Sequence, residues 1–427
     1  MDSTVKPSID ALDARLLLVK VAAKFLRTQN ADKRNATLIT LAKLLSANET
    51  KILSANSLDL NSLAKDAAPA FRDRLTVTSA RLIGMRTSLD QVAALPDPLG
   101  EVVEEKKLAN GLLTKRIRSP LGILFMIFES RPNVALEAFS LAFKSGNAII
   151  LLGGKESKHT VQVFYELITE ALAQNGMDSN CVLGITDPDR AIVLNLLQKK
   201  QIIDVVIPRG GDQLIEFVVE NSKIPIIKND RGMCHIYIHA DAKESMVLSI
   251  VENAKKQRPG VCNACETLLV HESIAKTLLP KIYAKLSEGK YPVEWFACDK
   301  SRAILGTGKQ VRAANDKSFD TEYLDYKINC KIVADESEAI AHIEVHGSRH
   351  SEAILTENET LARKFQAEVD AAAVYWNAST RFTDGFELGL GGELGISTQK
   401  LHVRGPVGLK ELTSIRWVID GTGQVRK

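Results

Sequence analysis

Between residues 122 and 227 the chain alternates short apolar runs with longer runs of helical period, and that alternation constrains the fold more than any other feature. Gly122 to Phe128, Ala148 to Leu152, Val182 to Ile185, Val205 to Ile207 and Ile224 to Ile227 read as buried strands. The helical runs between them are Leu136 to Lys144, Thr160 to Gln174, Asp189 to Leu197 and Gln213 to Asn221. Strands and helices in this order predict a parallel, doubly wound α/β sheet. A second alternating block starts at His235 and carries Cys262 and Glu322. At 427 residues the chain is long for one core, so two or three units are expected.

The first hundred residues read as helices. Ser8 is a candidate N-cap for a run through Arg27, with Ile9, Leu12, Leu16, Val19 and Ala23 at helical spacing, and a second run spans Lys33 to Leu45. From residue 102 the pattern becomes a polar hairpin: β-compatible runs at Val102 to Ala109 and Leu112 to Arg118 flank Asn110-Gly111, a strong hairpin signal.

A net charge of +3 without a Lys/Arg block gives no footprint for nucleic acid, and mildly basic patches suit small anions. The apolar run Leu121 to Phe128 is too short to span a bilayer. Six scattered cysteines form no disulfide framework, and the first residues show no signal-peptide pattern; a cytoplasmic protein is expected.

Cys262 draws attention because it lies in a turn, between a helical run ending at Arg258-Pro259-Gly260 and a β run at Thr267 to Val270. The thiolate is the nucleophilic form, and Lys255, Lys256 and Arg258 are expected to favour it. Pro208-Arg209-Gly210-Gly211 sits at a strand-to-helix turn, where glycines let a phosphate approach backbone N–H groups and Arg209 adds charge. Gly306 to Lys309 lacks the first glycine and the hydroxyl of a P-loop, and the glycines at 389, 391, 392 and 395 read as a tight loop. Cys262-Asn263-Ala264-Cys265 has no second Cys-x-x-Cys, so no metal is expected. Cys265 is nonetheless a candidate thiol for trapping an oxidised Cys262. His342, His346 and His350 read as surface and turn residues, with a helix break at Gly347-Ser348.

The string Arg258-Pro259-Gly260-Val261-Cys262-Asn263-Ala264 resembles the catalytic-cysteine segment of the γ-glutamyl phosphate reductases, a branch of the aldehyde dehydrogenase superfamily. Further matching strings follow in the same order across nearly the whole chain. They are Glu129-Ser130-Arg131-Pro132-Asn133, Pro208 to Gly211, Gly232-Met233-Cys234-His235, Asn377-Ala378-Ser379-Thr380-Arg381 and Leu401-His402-Val403-Arg404-Gly405.

The resemblance implies NADPH-dependent reduction of L-glutamyl 5-phosphate to L-glutamate 5-semialdehyde and phosphate, in proline biosynthesis. Cys262 would be the nucleophile and Asn133, or a neighbour one position away, an oxyanion donor. Arg209, Gly210 and Gly211 would face the cofactor pyrophosphate, and Glu322 the nicotinamide ribose hydroxyls. Ser379, Thr380 and Arg381 offer a site for the substrate carboxylate, with Arg131 the competing choice.

It also implies a cofactor domain (1–101 and 119–232), a catalytic domain (233–398) and an oligomerisation flap (102–118 and 399–427, including a strand within Leu409 to Asp420). A homo-oligomer is expected, and glutamate 5-kinase is a possible partner. The link Lys228 to Met233 lacks the glutamate with which hydrolytic members activate water; Asp230 is its one carboxylate. The rival readings are a CoA-acylating aldehyde dehydrogenase and a non-catalytic scaffold for the kinase.

Overall fold

The computed structural model of the chain describes residues 9–64, 69–186, 189–229, 231–306, 308 and 310–426; Ser8, Asp230, Thr307 and Lys309 lie outside the described residues. The chain forms two compact units, Met1–Asn229 with Gly389–Gly395 and Val407–Lys427, and Asp230–Leu388 with Ile396–Pro406.

The first unit opens with helices α1 (Ile9–Leu26), α2 (Ala31–Ala47), α3 (Glu49–Asn61), α4 (Pro69–Leu75) and α5 (Ser79–Ala94). Leu12, Leu16 and Val19 of α1 are buried at the spacing read from the sequence, and they join the core beneath the sheet. Asn30 and Thr78 cap α2 and α5 by accepting from Lys33 N and Arg81 N. Strands β1 (Val102–Lys107) and β2 (Leu113–Pro120) form the expected hairpin, with Gly111 at φ 87° in its turn. The C-terminal strand Thr413–Asp420 pairs antiparallel along the whole of β2.

Strands β3 (Ile123–Phe128), β4 (Ala148–Gly153), β5 (Val182–Ile185) and β6 (Val205–Arg209) make a parallel sheet of order β5-β4-β3-β6. Between them run α6 (Asn133–Lys144), α7 (Lys158–Gln174) and α8 (Arg190–Leu197), and α9 (Asp212–Asn221) follows β6. The order reverses between β3 and β6, and ligands bind such sheets at the carboxyl ends beside the switch point.

Two expectations need correction here. Ile224 to Ile227 forms no strand; a single bridge, Val206 to Ile226, is all that pairs, because Pro225 has no N–H to extend a ladder. Helix α6 starts at Asn133 rather than Leu136, since Pro132 at φ −56° and ψ −35° already has helical geometry. Asn133 therefore lies on the first turn of a helix.

The second unit is a seven-stranded parallel sheet of order β10-β9-β11-β8-β7-β12-β13. Its strands are β7 (Cys234–Ile238), β8 (Cys265–His271), β9 (Glu294–Ala297), β10 (Val311–Ala313), β11 (Lys327–Val333), β12 (Ser351–Leu355) and β13 (Ala373–Trp376). The helices are α10 (Glu244–Lys256), α11 (Glu272–Ser287), α12 (Asp299–Leu305), α13 (Asp316–Phe319), α14 (Glu336–His346) and α15 (Glu359–Glu368). A short antiparallel pair, β14 (Ile396–Ser397) and β15 (Gly405–Pro406), completes the unit.

Gly347 ends α14 as expected, but the histidines around it are not surface groups. His342 and His350 are buried, and burial drives the pKa of the His342 imidazole far down. Among the described residues no His, Cys, Asp or Glu cluster could hold a metal ion, and no helix is long and apolar enough to cross a membrane.

Phe125 sits at the centre of β3 with no exposed surface. Phe125→Ala should lower the unfolding free energy by about 3–5 kcal/mol, read from the urea midpoint, because the rigid sheet around it cannot collapse into the cavity. A change under about 1 kcal/mol would show that the sheet interior is not packed this way.

Candidate active site

In the second unit, α10 stops at Lys256 and β8 starts at Cys265, so Cys262 rides on the short turn between them. Cys262 is half-buried there. The residues before β7 run hard against this turn: a Cβ on Gly232 would fall 1.5 Å from the Cys262 carbonyl oxygen and 2.6 Å from its Cα. No residue with a side chain fits that approach. Gly232 N donates to Glu322 Oε1 at 2.8 Å, and Cys234 Sγ donates to the Cys262 carbonyl at 3.2 Å. Cys262 and Glu322, far apart in sequence, are thus brought to one strand end.

Asn263 ties in the third element. Its Nδ2 donates to the carbonyls of Thr383 (2.8 Å) and Arg381 (3.3 Å), and its own carbonyl accepts from Thr380 Oγ1 at 2.8 Å. These bonds fasten the 379–383 segment to the residue after Cys262. Thr380 is buried and engaged in this anchoring, while Ser379 Oγ accepts from Arg381 N and starts a 3₁₀ turn. Of the three, only Arg381 carries a charge. Its Nε donates to Gln257 at 3.1 Å. Its pKa is lowered by burial and by Arg258, with Asp384 and Cys262 pulling it back up.

The cation argument for Cys262 has to be revised. Lys255 is fully buried and paired with Glu266 at 3.2 Å, and Lys256 Nζ donates to the carbonyls of Leu286 and Glu288 at the end of α11. The last turn of α10 aims one lysine at β8 and the other at α11. Arg258 and Arg381 remain as the cations around the turn.

Cys265 is likewise not a neighbouring thiol for Cys262 in the sense expected. Its side chain is in the core with Ile236 and Leu268, and burial pushes its pKa well above that of an ordinary thiol. Cys234, whose thiol does reach the Cys262 backbone, is also buried and also shifted far up by burial.

The first unit carries the remaining candidates at the carboxyl ends of β3, β4 and β6. Arg209 ends β6, and its Nη1 is buried without a hydrogen-bond partner, which suits a phosphate oxygen of a bound dinucleotide. Gly211 starts α9 from an extended conformation, but its N–H is already held by Glu129 Oε2 at 3.0 Å, and the carboxyl of Glu129 fills the space beside Gly210. A phosphate reaching that N–H has to displace this carboxylate. Asn133 Nδ2 donates to Glu137 Oε1 at 2.7 Å, one turn along α6. Ser130, at φ 48°, donates from N and Oγ to Glu156 Oε1 at 2.7 and 2.8 Å. Arg131 follows it directly in the loop between β3 and α6.

Sequence reasoning missed Gly232, Asn263, Glu129 and Glu156 as organising residues. Asn263 and Glu129 stand inside motif strings already singled out, beside residues that were given roles. Nothing in the sequence marks Glu156, whose function is a contact across two strand ends.

A half-buried cysteine on a turn before a parallel strand, with a second, doubly wound parallel sheet in the other unit, fits the class that comparison shows. A family model described as "Aldehyde dehydrogenase family" matches residues 13–294, and the chain belongs to that family. Among its relatives, the γ-glutamyl phosphate reductase of Carboxydothermus hydrogenoformans is 47% identical over 408 residues, covering 95% of this chain and 97% of the relative. That of Neisseria gonorrhoeae is 45% identical over 417 residues, covering 97% and 99%. The solved γ-glutamyl phosphate reductase of Thermotoga maritima superposes with a TM-score of 0.93 at 41% identity, over 97% of this chain and 100% of that one. Within the family the likeness is therefore to the γ-glutamyl phosphate reductase branch, over nearly the full length.

Gly232→Ala should lower kcat by at least about 10²-fold with little change in secondary structure, because the nucleophile turn must shift by the order of an ångström to admit the methyl. Near-normal turnover of the variant would show that the Cys262 backbone need not sit where Gly232 allows it.

Proposed function

We propose that this chain reduces L-glutamyl 5-phosphate to L-glutamate 5-semialdehyde and phosphate with NADPH, in proline biosynthesis and in the cytoplasm. The observation that carries this reading is the fastening of the Arg381 segment to Asn263, one residue beyond Cys262, which joins a carboxylate-binding cation to a nucleophile within one unit. Likeness to γ-glutamyl phosphate reductases along nearly the whole chain supports the substrate.

The Cys262 thiolate attacks the acyl carbon; the bond to the phosphate oxygen breaks, phosphate leaves with the electron pair, and a thioester remains. Arg381 binds the substrate's α-carboxylate, with Arg131 the alternative. Ser379 and Thr380 act through the backbone they anchor. Asn133 is the proposed donor to the oxyanion of the tetrahedral intermediate, a contribution of about 2.7–4 kcal/mol for one such donor, and it would exchange its bond to Glu137 for that one. Arg209 and the Gly210-Gly211 turn would hold the cofactor phosphates and Glu322 the nicotinamide ribose. NADPH, when bound, supplies the hydride that reduces the thioester carbon. Collapse of the thiohemiacetal then expels the Cys262 thiolate and releases the aldehyde. All six cysteines are free thiols, as this chemistry requires of Cys262.

We assign 1–101 with 119–232 to cofactor binding, 233–398 to catalysis and 102–118 with 399–427 to self-association. Exposed Val102, Val103, Ile415, Trp417 and Ile419 on the hairpin sheet support the last of these. Glutamate 5-kinase, the source of a labile acyl phosphate, is the proposed partner.

Cys262→Ala should lose more than about 10³-fold in turnover while binding NADPH nearly as well as wild type. Residual activity of several per cent would remove the covalent mechanism. Run backwards from glutamate 5-semialdehyde and NADP⁺, the enzyme should form NADPH in sustained turnover only when phosphate or arsenate is added, because the 228–233 link has no glutamate to activate water, a role typically contributing about 10²–10⁴-fold. Turnover without phosphate would point to a hydrolytic enzyme, and turnover restored by CoA instead of phosphate to a CoA-acylating one.

A further inference from the structure

Glu266 has no part in the mechanism above, yet its carboxylate is buried at the junction of three pieces of the catalytic unit. Oε2 accepts from Lys255 Nζ at 3.2 Å and from Tyr323 N at 3.3 Å, and Oε1 accepts from Leu324 N at 3.4 Å. Lys255 closes α10 just before the nucleophile turn, and Glu266 is the second residue of β8 just after it, so the pair brackets Cys262 in sequence. Tyr323 and Leu324 directly follow Glu322. Leu324 stands at φ 51°, a left-handed conformation that residues other than glycine rarely adopt and that must be held by its surroundings. The carboxylate is what holds it: one acceptor group faces two successive N–H donors, and Glu322 is the side chain whose direction that turn sets.

We propose that Glu266 is a positioning residue for the cofactor: ionised and paired with Lys255, it fixes the turn at Tyr323 and Leu324 and so aims Glu322 at the nicotinamide ribose. The proposal rests on the reading of Glu322 as the ribose ligand. An ionised carboxylate offers acceptors to all three donors at once. A protonated one must donate its hydrogen, loses the attraction of Lys255 and lets the left-handed turn relax.

The groups facing Glu266 are Lys255 from α10, Cys265 on its own strand, Cys234 from β7, and Glu322 and Tyr323 from the segment after α13. Burial pushes the Glu266 carboxyl up to about 7, with Lys255 pulling the other way. The ionised, aiming form is therefore dominant above about pH 7 and is lost as the pH falls below it, so cofactor affinity should fall with it.

The test is a fluorescence titration of the full-length enzyme with NADH and with NADPH between about pH 6 and about pH 9. NADH matters because the 2′-phosphate of NADPH has its own proton near pH 6. For wild type the dissociation constant of NADH should rise by about tenfold from pH 8 to pH 6, following one proton. Glu266→Gln, checked for folding by circular dichroism and for an unchanged rate of Cys262 alkylation by iodoacetamide, should bind both cofactors at least about tenfold more weakly at pH 8. It should show no remaining pH slope with NADH, and kcat at saturating cofactor should stay within about threefold of wild type. A flat wild-type NADH titration overturns the proposal, and does so even if the variant fails to fold. Wild-type affinity and slope in Glu266→Gln also overturn it. Glu322→Ala separates the two layers: unchanged NADH binding in that variant removes the ribose reading and the proposal with it. Weakened binding there, beside unchanged binding in Glu266→Gln, removes the proposal alone.

Discussion

The second unit is organised by a hard-sphere contact. The backbone at Gly232 approaches the carbonyl of Cys262 to within the space a methyl group would need, and this fixes both chains before any charge is considered. Three consequences follow. Gly232 N–H turns to Glu322, Cys234 can donate to the same carbonyl, and the turn bearing Cys262 is held from one side while Asn263 holds it from the other. A thiol on a loop would ordinarily be mobile, and its attack geometry would suffer accordingly. Here Gly232, two residues before β7, and the segment after β13 clamp the turn between α10 and β8.

Charge enters as a refinement of that frame. Of three basic residues near the cysteine in sequence, two are directed elsewhere by the helix that carries them; Arg258 remains, and a second cation at the turn arrives from more than a hundred residues downstream as Arg381. The first unit treats charge in a similar way. Arg209 offers a buried guanidinium nitrogen at a strand end, yet the adjacent N–H of Gly211 is covered by Glu129 until an anion displaces it. Both sites pair a fixed backbone with an ionic group whose partner is chosen by folding, not by proximity in sequence.

This distinction explains what could be read from the sequence. Strands β3 to β6 are apolar on both faces, so their existence and parallel order follow from composition and period; the hairpin at Asn110-Gly111 is as plain. The run Ile224 to Ile227 looked the same and is not a strand, because pairing needs N–H groups and Pro225 removes one. Cys262 and the 377–381 segment were found from motif strings, whereas the bonds from Asn263 to Thr383 and from Glu266 to Leu324 cross more than fifty residues and leave no periodic trace. Lys255 shows the limit most clearly. Sequence neighbours suggested a cation beside the thiol, and the helix rotation that sends it inward to Glu266 depends on packing that no local pattern encodes.

The account stands on acylation of one side chain. Enzyme mixed with enzymatically generated γ-glutamyl phosphate, without NADPH, should release about one equivalent of phosphate per chain in a burst, and peptide mass spectrometry should find the glutamyl group on Cys262. Phosphate release that waits for NADPH, or an acyl group found on any other residue, would contradict it.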